Sequence, residues 1–379
     1  MRRLRWAVPL AALLSTLAVA PASQAAGELR LGEYRIGADA TERIRDRWVD
    51  RLLATHGEGT WAPARLELTD ADLKDMGLPA RRHLLGKRFP VPTAVYPDGR
   101  MVRLAGGGGK PGSGGSGGGT SSAGPVVTSF AGAGYFGIRP GAWLLTVTGS
   151  SIGWCSLAHV YGTRGSYTVS TAGHCGKTGD IGTVIGVVGN RPGVPVLMDF
   201  GKYIKSTGDG GIGRDHAMLS INAPYQAITT PTMAFWGGPK GVYTKTGDVV
   251  AANLFGSKGP TFSTNPDPFL AQGIVHYGHG TGVGAGGTPR AGAAITWRTN
   301  YFTFFGAISP GDSGSGSNTV TGDSVPAVYE AAGINTHIYV DPSLRTGVGL
   351  MAGTRTTLVG TPANGSYVGQ PVPTPFDLP

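Results

Sequence analysis

The sequence predicts an all-β fold for its last two-thirds, and three observations carry that expectation. From residue 125 onward, short runs rich in Val, Ile, Thr and Tyr alternate with Gly/Pro turns, while few segments keep a helical period. The chain has 379 residues, 40% of them apolar, enough to fill a sizeable core even though 65 are glycine. Charge also thins sharply: residues 27–104 hold 26 charged side chains, whereas residues 125–379 hold 25 in more than three times the length. That shift marks a boundary between a charged leading segment and a sparsely charged β domain.

Residues 1–25 read as a secretory signal. Arg2, Arg3 and Arg5 precede the apolar run from Trp6 to Ala20, and small residues lead to Ser23-Gln24-Ala25. A membrane anchor is the alternative, which the shortness of the run and its break at Pro9 disfavour, and no later stretch is apolar enough to span a bilayer. Residues 26–104 then form a small α/β pro-segment or accessory module. A helix is expected over Thr41 to His56, with Ile44, Trp48, Val49, Leu52 and Leu53 on one face. A second, shorter one is expected from Thr69 to Gly77, before Pro79, and Tyr96-Pro97-Asp98-Gly99-Arg100 reads as a turn between two short strands.

Residues 105–124 are nearly all Gly and Ser and read as a flexible linker. Gly106 to Lys110 superficially suggests a phosphate loop, but Pro111 stands where a magnesium-binding hydroxyl is needed. The β domain follows over residues 125–360. Strands are expected at 143–148, 167–171, 183–188, 217–222, 241–245, 249–254, 272–277, 293–299 and 328–338, a spacing that suits a barrel or a sandwich. Residues 361–379 read as a loose C-terminal tail.

The net charge of +9 is spread along the chain with no basic block of the kind that tracks phosphates, so nucleic acid is not an expected partner. The two cysteines, Cys155 and Cys175, lie 20 residues apart without the paired spacing of a zinc site. Export makes a disulfide between them plausible, with a free pair as the alternative. His276 and His279 lack a third ligand at useful spacing, and no metal or other cofactor is expected.

The chemistry-bearing residues fall in three places. Gly311-Asp312-Ser313-Gly314-Ser315 sets a serine in a sharp turn with room for a substrate carbonyl over its hydroxyl. A serine hydroxyl is inert at neutral pH without a base. Thr171-Ala172-Gly173-His174-Cys175 offers that base, and Asp215, opening the run His216-Ala217-Met218-Leu219, offers a carboxylate to orient it. Asp199 and Asp209 compete with Asp215 for that role, but neither is followed by such a run.

These segments, in the order His, Asp, Ser and separated by 41 and 98 residues, resemble the chymotrypsin-like (trypsin-fold) serine endopeptidases of the secreted bacterial kind. The resemblance spans roughly residues 126–355. It implies two packed antiparallel six-stranded Greek-key β-barrels, near residues 130–230 and 238–355, with the site between them. It implies Ser313 as nucleophile, His174 as base, Asp215 as its orienting partner, and the N–H groups of Gly311 and Ser313 as the oxyanion hole. It pairs Cys155 with Cys175. The position matching the floor of the specificity pocket falls on Ala307, and Thr336, His337 and Ile338 fall on the strand along which substrates lie.

The resemblance implies a protein or peptide substrate as partner, while the charge contrast and the tether make the chain's own N-terminal segment a second one, which either assists folding or blocks the cleft until cut off in or near the linker. A surface-binding accessory module is the alternative for that segment. The enzyme is expected to be a monomer, free of the membrane after signal cleavage. Ala307 offers no carboxylate for Lys or Arg, so a small or apolar side chain is expected before the cut, while His337 could instead favour Glu.

Three departures stand out. Ser315 replaces a common glycine. No Ile-Val activation terminus appears. The early-strand arginine that bacterial relatives pair with the residue matching Asp312 aligns with Lys245-Thr246-Gly247-Asp248, which leaves Asp312 without an assigned partner. A catalytically impaired secreted protein of the same fold, working by binding, is the alternative from another functional class.

Overall fold

A computed structural model describes residues 38–103, 138–186, 195–233, 236–248, 273–278, 280, 288–321 and 328–366. The expected signal, the linker and the strand at 249–254 lie outside the described residues. Helix α1 (Ala38–His56) buries Ile44, Trp48, Val49 and Leu52, the face its period predicts. Its opposite pattern, Arg43, Arg47 and Arg51 at four-residue steps, meets the carboxylates of Asp72 and Asp75 on the short helix α2 (Asp70–Asp75), with Arg47 Nη2 2.8 Å from Asp72 and 2.7 Å from Asp75. Thr69 starts α2 with a capping box: its side chain accepts from the Asp72 N–H, and the Asp72 carboxylate accepts from the Thr69 N–H. A one-turn helix α3 (Arg81–Leu84) follows.

Four short strands accompany these helices: β1 (Trp61–Pro63), β2 (Leu66–Glu67), β3 (Thr93–Val95) and β4 (Met101–Arg103). After them the regular structure among the described residues is strand, apart from short 3-10 turns. The first half carries β5 (Trp143–Thr148), β6 (Ser151–Ser156), β7 (Val160–Tyr161), β8 (Thr168–Thr171), β9 (Ile181–Gly186), β10 (Val196–Ser206) and β11 (Ala217–Ile221). The second carries β12 (Gly247–Asp248), β13 (Gly273–Gly278), β14 (Thr288–Trp297), β15 (Tyr301–Ala307), β16 (Gly316–Thr321), β17 (Val328–Tyr339) and β18 (Val348–Arg355).

Among the described residues every strand pair is antiparallel. In the second half the order β17-β16-β13-β14-β15-β18 returns to β17, so six strands close into a barrel. In the first half the order is β6-β5-β9-β10-β11-β8-β7. Alternation explains the burial. Along β11, Ala217, Leu219 and Ile221 point inward beside Leu144, Val169, Val184, Met198 and Phe200, while Met218 and Ser220 are half-buried. Ile274, Ala294, Trp297, Phe302, Phe304 and Met351 fill the closed barrel. The fold is mostly β and trypsin-like, a closed six-stranded barrel beside a second antiparallel sheet.

The leading segment does not build a sheet of its own. Strand β1 adds to β17, β2 adds to β6, and β3 pairs with β10 while carrying β4, so its strands are shared between both sheets. The first residues of the expected tail are also tied down. Ala363 N–H donates to the Val160 carbonyl at 2.8 Å, and Gly365 N–H to that of Pro239 at 2.7 Å, one on each half.

Candidate active site

His174 sits in a 3-10 turn, Gly173–Cys175, just past the end of β8. Cys175 forms a disulfide with Cys155 on β6, which staples that turn to the neighbouring strand. The Ser206 hydroxyl holds the same turn by donating to the carbonyls of Gly173 and Gly176. Asp215 enters β11 fully buried, fixed by a reciprocal pair with Thr354 of β18: its N–H donates to the Thr354 hydroxyl, which donates back to its carbonyl at 2.9 Å.

Ser313 lies in the turn between β15 and β16. Two local constraints shape that turn. Gly314 has φ +86°, and a Cβ there would stand 2.1 Å from the Thr171 hydroxyl, so both conformation and space demand glycine. Ser315 is held by Asn335, whose amide donates to its hydroxyl at 2.9 Å while the Asn335 carbonyl oxygen accepts from Ser317 at 2.8 Å. The serine that replaces a common glycine therefore has a defined partner, one that neither residue's sequence context signals.

These elements bring the three side chains into one line. Ser313 Oγ is 2.5 Å from His174 Nε2, and His174 Nδ1 is 2.5 Å from Asp215 Oδ2. The His174 backbone N–H also donates to Asp215 Oδ1 at 3.1 Å. Burial opposes charge on Asp215, but the His174 ring, its hydrogen bonds and the nearby His337 outweigh it and hold the carboxyl below the usual carboxylate range. Asp215 is thus built to stay ionised and to accept from Nδ1, which leaves Nε2 free to take the Ser313 proton. Asp199 lies elsewhere, accepting from Arg88, Thr183 and the Phe89 N–H.

The partner of Asp312 is Arg290, on β14. It is not in the Lys245–Asp248 segment, whose Gly247 and Asp248 pair with the far end of β14, at Trp297 and Thr296. Arg290 and Asp312 are both buried and form a direct ion pair, while Gly280 N–H donates to the other carboxylate oxygen at 3.1 Å. Burial pushes the Asp312 carboxyl up to about 6 and the Arg290 guanidinium down. An arginine keeps its proton regardless, so the pair is ionic at neutral pH.

The remaining expected residues are dispersed along the cleft. Ala307 ends β15, its carbonyl 3.1 Å from His276 Nε2. Thr336 and Ile338 lie on β17, and each meets a residue of the leading segment: the Thr336 carbonyl accepts from Ala64 N–H at 2.8 Å, and Ile338 is registered with Ala62. His337 is buried, with Nδ1 2.9 Å from the Thr336 hydroxyl and Nε2 3.2 Å from Asp209. Both of its ring nitrogens are thereby engaged, on the side of Asp215. Gly311 N–H donates to the Ala64 carbonyl at 3.0 Å.

Among the described residues, two clusters have a metal-like composition. The sulfurs of Cys155 and Cys175, near His174, are spent in the disulfide. In the cluster of Asp209, Asp215 and His337, the Asp215 carboxylate is committed to His174. No helix among the described residues is long and apolar enough to cross a membrane.

No family model and no curated protein matches the chain. Solved structures do, at low similarity. Thermobifida fusca protease A is 16% identical, over 60% of this chain and 98% of that one, with a TM-score of 0.34. Cellulomonas bogoriensis chymotrypsin is 16% identical over the same shares, with a TM-score of 0.30. Nocardiopsis protease is 17% identical, over 58% of this chain and 94% of that one, with a TM-score of 0.28. Those scores are too low to add to the argument, which rests on the strand order and the site itself. The closed barrel beside a second antiparallel sheet is a trypsin-like architecture, and it brings His174, Asp215 and Ser313 together.

Proposed function

We propose that the protein is a secreted serine endopeptidase that hydrolyses peptide bonds through an acyl-enzyme. The observation that carries the reading is the unbroken chain from Ser313 Oγ through His174 to Asp215, with 2.5 Å at both links. Ser313 attacks the substrate carbonyl and His174 takes its proton, later returning it to the leaving amine. Asp215 holds the ring in the tautomer that exposes a basic Nε2. The Gly311 and Ser313 N–H groups stabilise the oxyanion, each donor contributing about 3 kcal/mol in sites of this type. The disulfide and the N-terminal signal sequence support export.

For specificity, Ala307, at the position matching the pocket floor, offers no carboxylate for Lys or Arg and so favours a small or apolar side chain before the cut. The Glu alternative has no support from His337, since neither of its ring nitrogens is free for a substrate carboxylate.

An alkyl fluorophosphonate tests the reading. One adduct per chain is expected on Ser313 by intact mass, and none on Ser313→Ala. If neither the wild type nor an Ala64→Trp chain, with its cleft segment displaced, is labelled at Ser313, the protein is instead a binding protein on a protease fold.

A further inference from the structure

We propose that the Ala64–Arg65 peptide bond is a self-processing site, seated in the chain's own cleft as the first substrate of Ser313; this rests on the endopeptidase reading above. Residues 61–67 run extended across the junction of the two sheets. On one side Trp61, Ala62 and Pro63 are registered antiparallel with Tyr339, Ile338 and His337 of β17. On the other, Leu66 and Glu67 are registered antiparallel with Trp154 and Gly153 of β6. The strand changes sheets at Ala64–Arg65, beside Ser313.

Two of the hydrogen bonds a substrate requires are made there. Ala64 N–H donates to the Thr336 carbonyl at 2.8 Å, and the Ala64 carbonyl accepts from Gly311 N–H, the expected oxyanion donor, at 3.0 Å. Beyond the bond, Arg65 Nη1 donates to the His174 carbonyl and Nη2 to the Ser151 hydroxyl, both at 3.2 Å, and Leu68 N–H donates to the Ile152 carbonyl at 2.9 Å. A strand that merely extended one sheet would have no reason to aim a carbonyl at Gly311 N–H. The side chains agree with the small or apolar residue expected before the cut: Ala62 and Ala64 are fully buried, and Trp61 packs edge-on against Tyr339 at 5.4 Å.

The step is ordinary acyl transfer. Ser313 Oγ bonds to the Ala64 carbonyl carbon as its proton passes to His174 Nε2, with the oxyanion held by Gly311 N–H. The carbon–nitrogen bond then breaks, and His174 gives the proton to the Arg65 nitrogen. Water hydrolyses the Ala64 ester, leaving a carboxylate at Ala64, an amine at Arg65 and free Ser313. Until the segment leaves, it excludes other substrates. Its flanks are held independently, upstream by Gly59 N–H on the Val340 carbonyl and Asp50 with Arg345, downstream by β3 on β10. The two ends therefore remain attached after the cut, and detection needs denaturation.

The test follows the full-length chain by intact mass and N-terminal sequencing after denaturation. The wild type should accumulate a new terminus, Arg65-Leu66-Glu67, while Ser313→Ala stays whole. The rate should not change over a tenfold dilution, because bond and nucleophile belong to one molecule. Ala64→Trp, too large for a site that encloses a methyl group, should abolish this cut yet still hydrolyse an added Trp-Ala-Pro-Ala-Arg-Leu-Glu peptide. A wild type that cleaves this peptide or labels with fluorophosphonate but keeps Ala64–Arg65 intact overturns the inference and leaves the endopeptidase reading standing. So does a cut that also occurs in Ser313→Ala, that scales with concentration, or that proceeds as fast in Ala64→Trp. No hydrolysis and no labelling in any chain defeats the endopeptidase reading instead.

Discussion

Two buried aspartates flank the nucleophile turn, and they are treated in opposite ways. Asp215 faces a histidine ring and a backbone N–H, and sits below the usual carboxylate range. Asp312 faces Arg290 and a backbone N–H, yet is pushed up to about 6. Burial opposes charge on both. For Asp215, the His174 ring and its hydrogen bonds outweigh that cost; for Asp312, a guanidinium that is itself fully desolvated does not. In the proposed mechanism one carboxylate serves proton transfer, and the other, paired with Arg290, fixes the backbone that presents Ser313. Removing each should therefore fail in a different way.

The largest expected effect is on catalysis alone. Asp215→Asn keeps the shape but favours the wrong His174 tautomer, and should lower kcat about 10⁴-fold. Its melting temperature should move far less than that of an Arg290 variant, and a collapse of both together would erase the distinction.

Arg290→Met should do the reverse. It leaves Asp312 buried without its cation, a loss of about 3–5 kcal/mol in stability by denaturant unfolding. Pairing it with Asp312→Leu should recover much of that loss, because an apolar pair replaces the stranded charge, whereas activity should stay low for want of a fixed turn. Full activity in the double variant would mean that the ion pair does not position Ser313.

The smallest effect concerns pH. His276 lies opposite Arg290 across β13 and β14, and burial together with Arg290 lowers its pKa to about 3; burial lowers that of His159 to about 4. Folded values below the unfolded one mean that stability is fully present above about 6.5 and is lost as pH falls, at about 1.4 kcal/mol per unit for each histidine. Asp312, raised to about 6, acts oppositely, relieving its penalty as pH falls from there toward 4. Between pH 6 and 4 the net loss should be about 1.4 kcal/mol per unit from these three groups. Urea titrations at several pH values check this, and His276→Gln should cancel most of the slope. An unchanged slope would show that His276 titrates normally.

Local sequence made some of this legible and concealed the rest for identifiable reasons. His174, Asp215 and Ser313 each lie in a short segment whose neighbours mark it as a candidate, the three side chains meet in the fold, and α1 follows from its apolar period. Arg290 has no such context, since only the pairing of β13 with both β14 and β16 brings it to Asp312. Strand β18 is not among the expected strands, and Gly349 and Gly353 interrupt its run of larger residues. Gly353 is a point of close approach, where a Cβ would stand 2.4 Å from the Phe302 ring. The leading segment reads as a tethered module from its charge contrast and the Gly/Ser run after it, and its strands are only two or three residues long. Their partners lie on the two distant sheets, and a local pattern cannot show that.

The central claim is that His174 makes Ser313 nucleophilic, and burst titration with p-nitrophenyl acetate tests it most directly. Either the wild type or Ala64→Trp should release about one equivalent of nitrophenolate per chain before slow turnover, as an acyl-enzyme requires, and the burst should vanish in Ser313→Ala. No burst in either chain, or an equal burst without the Ser313 hydroxyl, would contradict it.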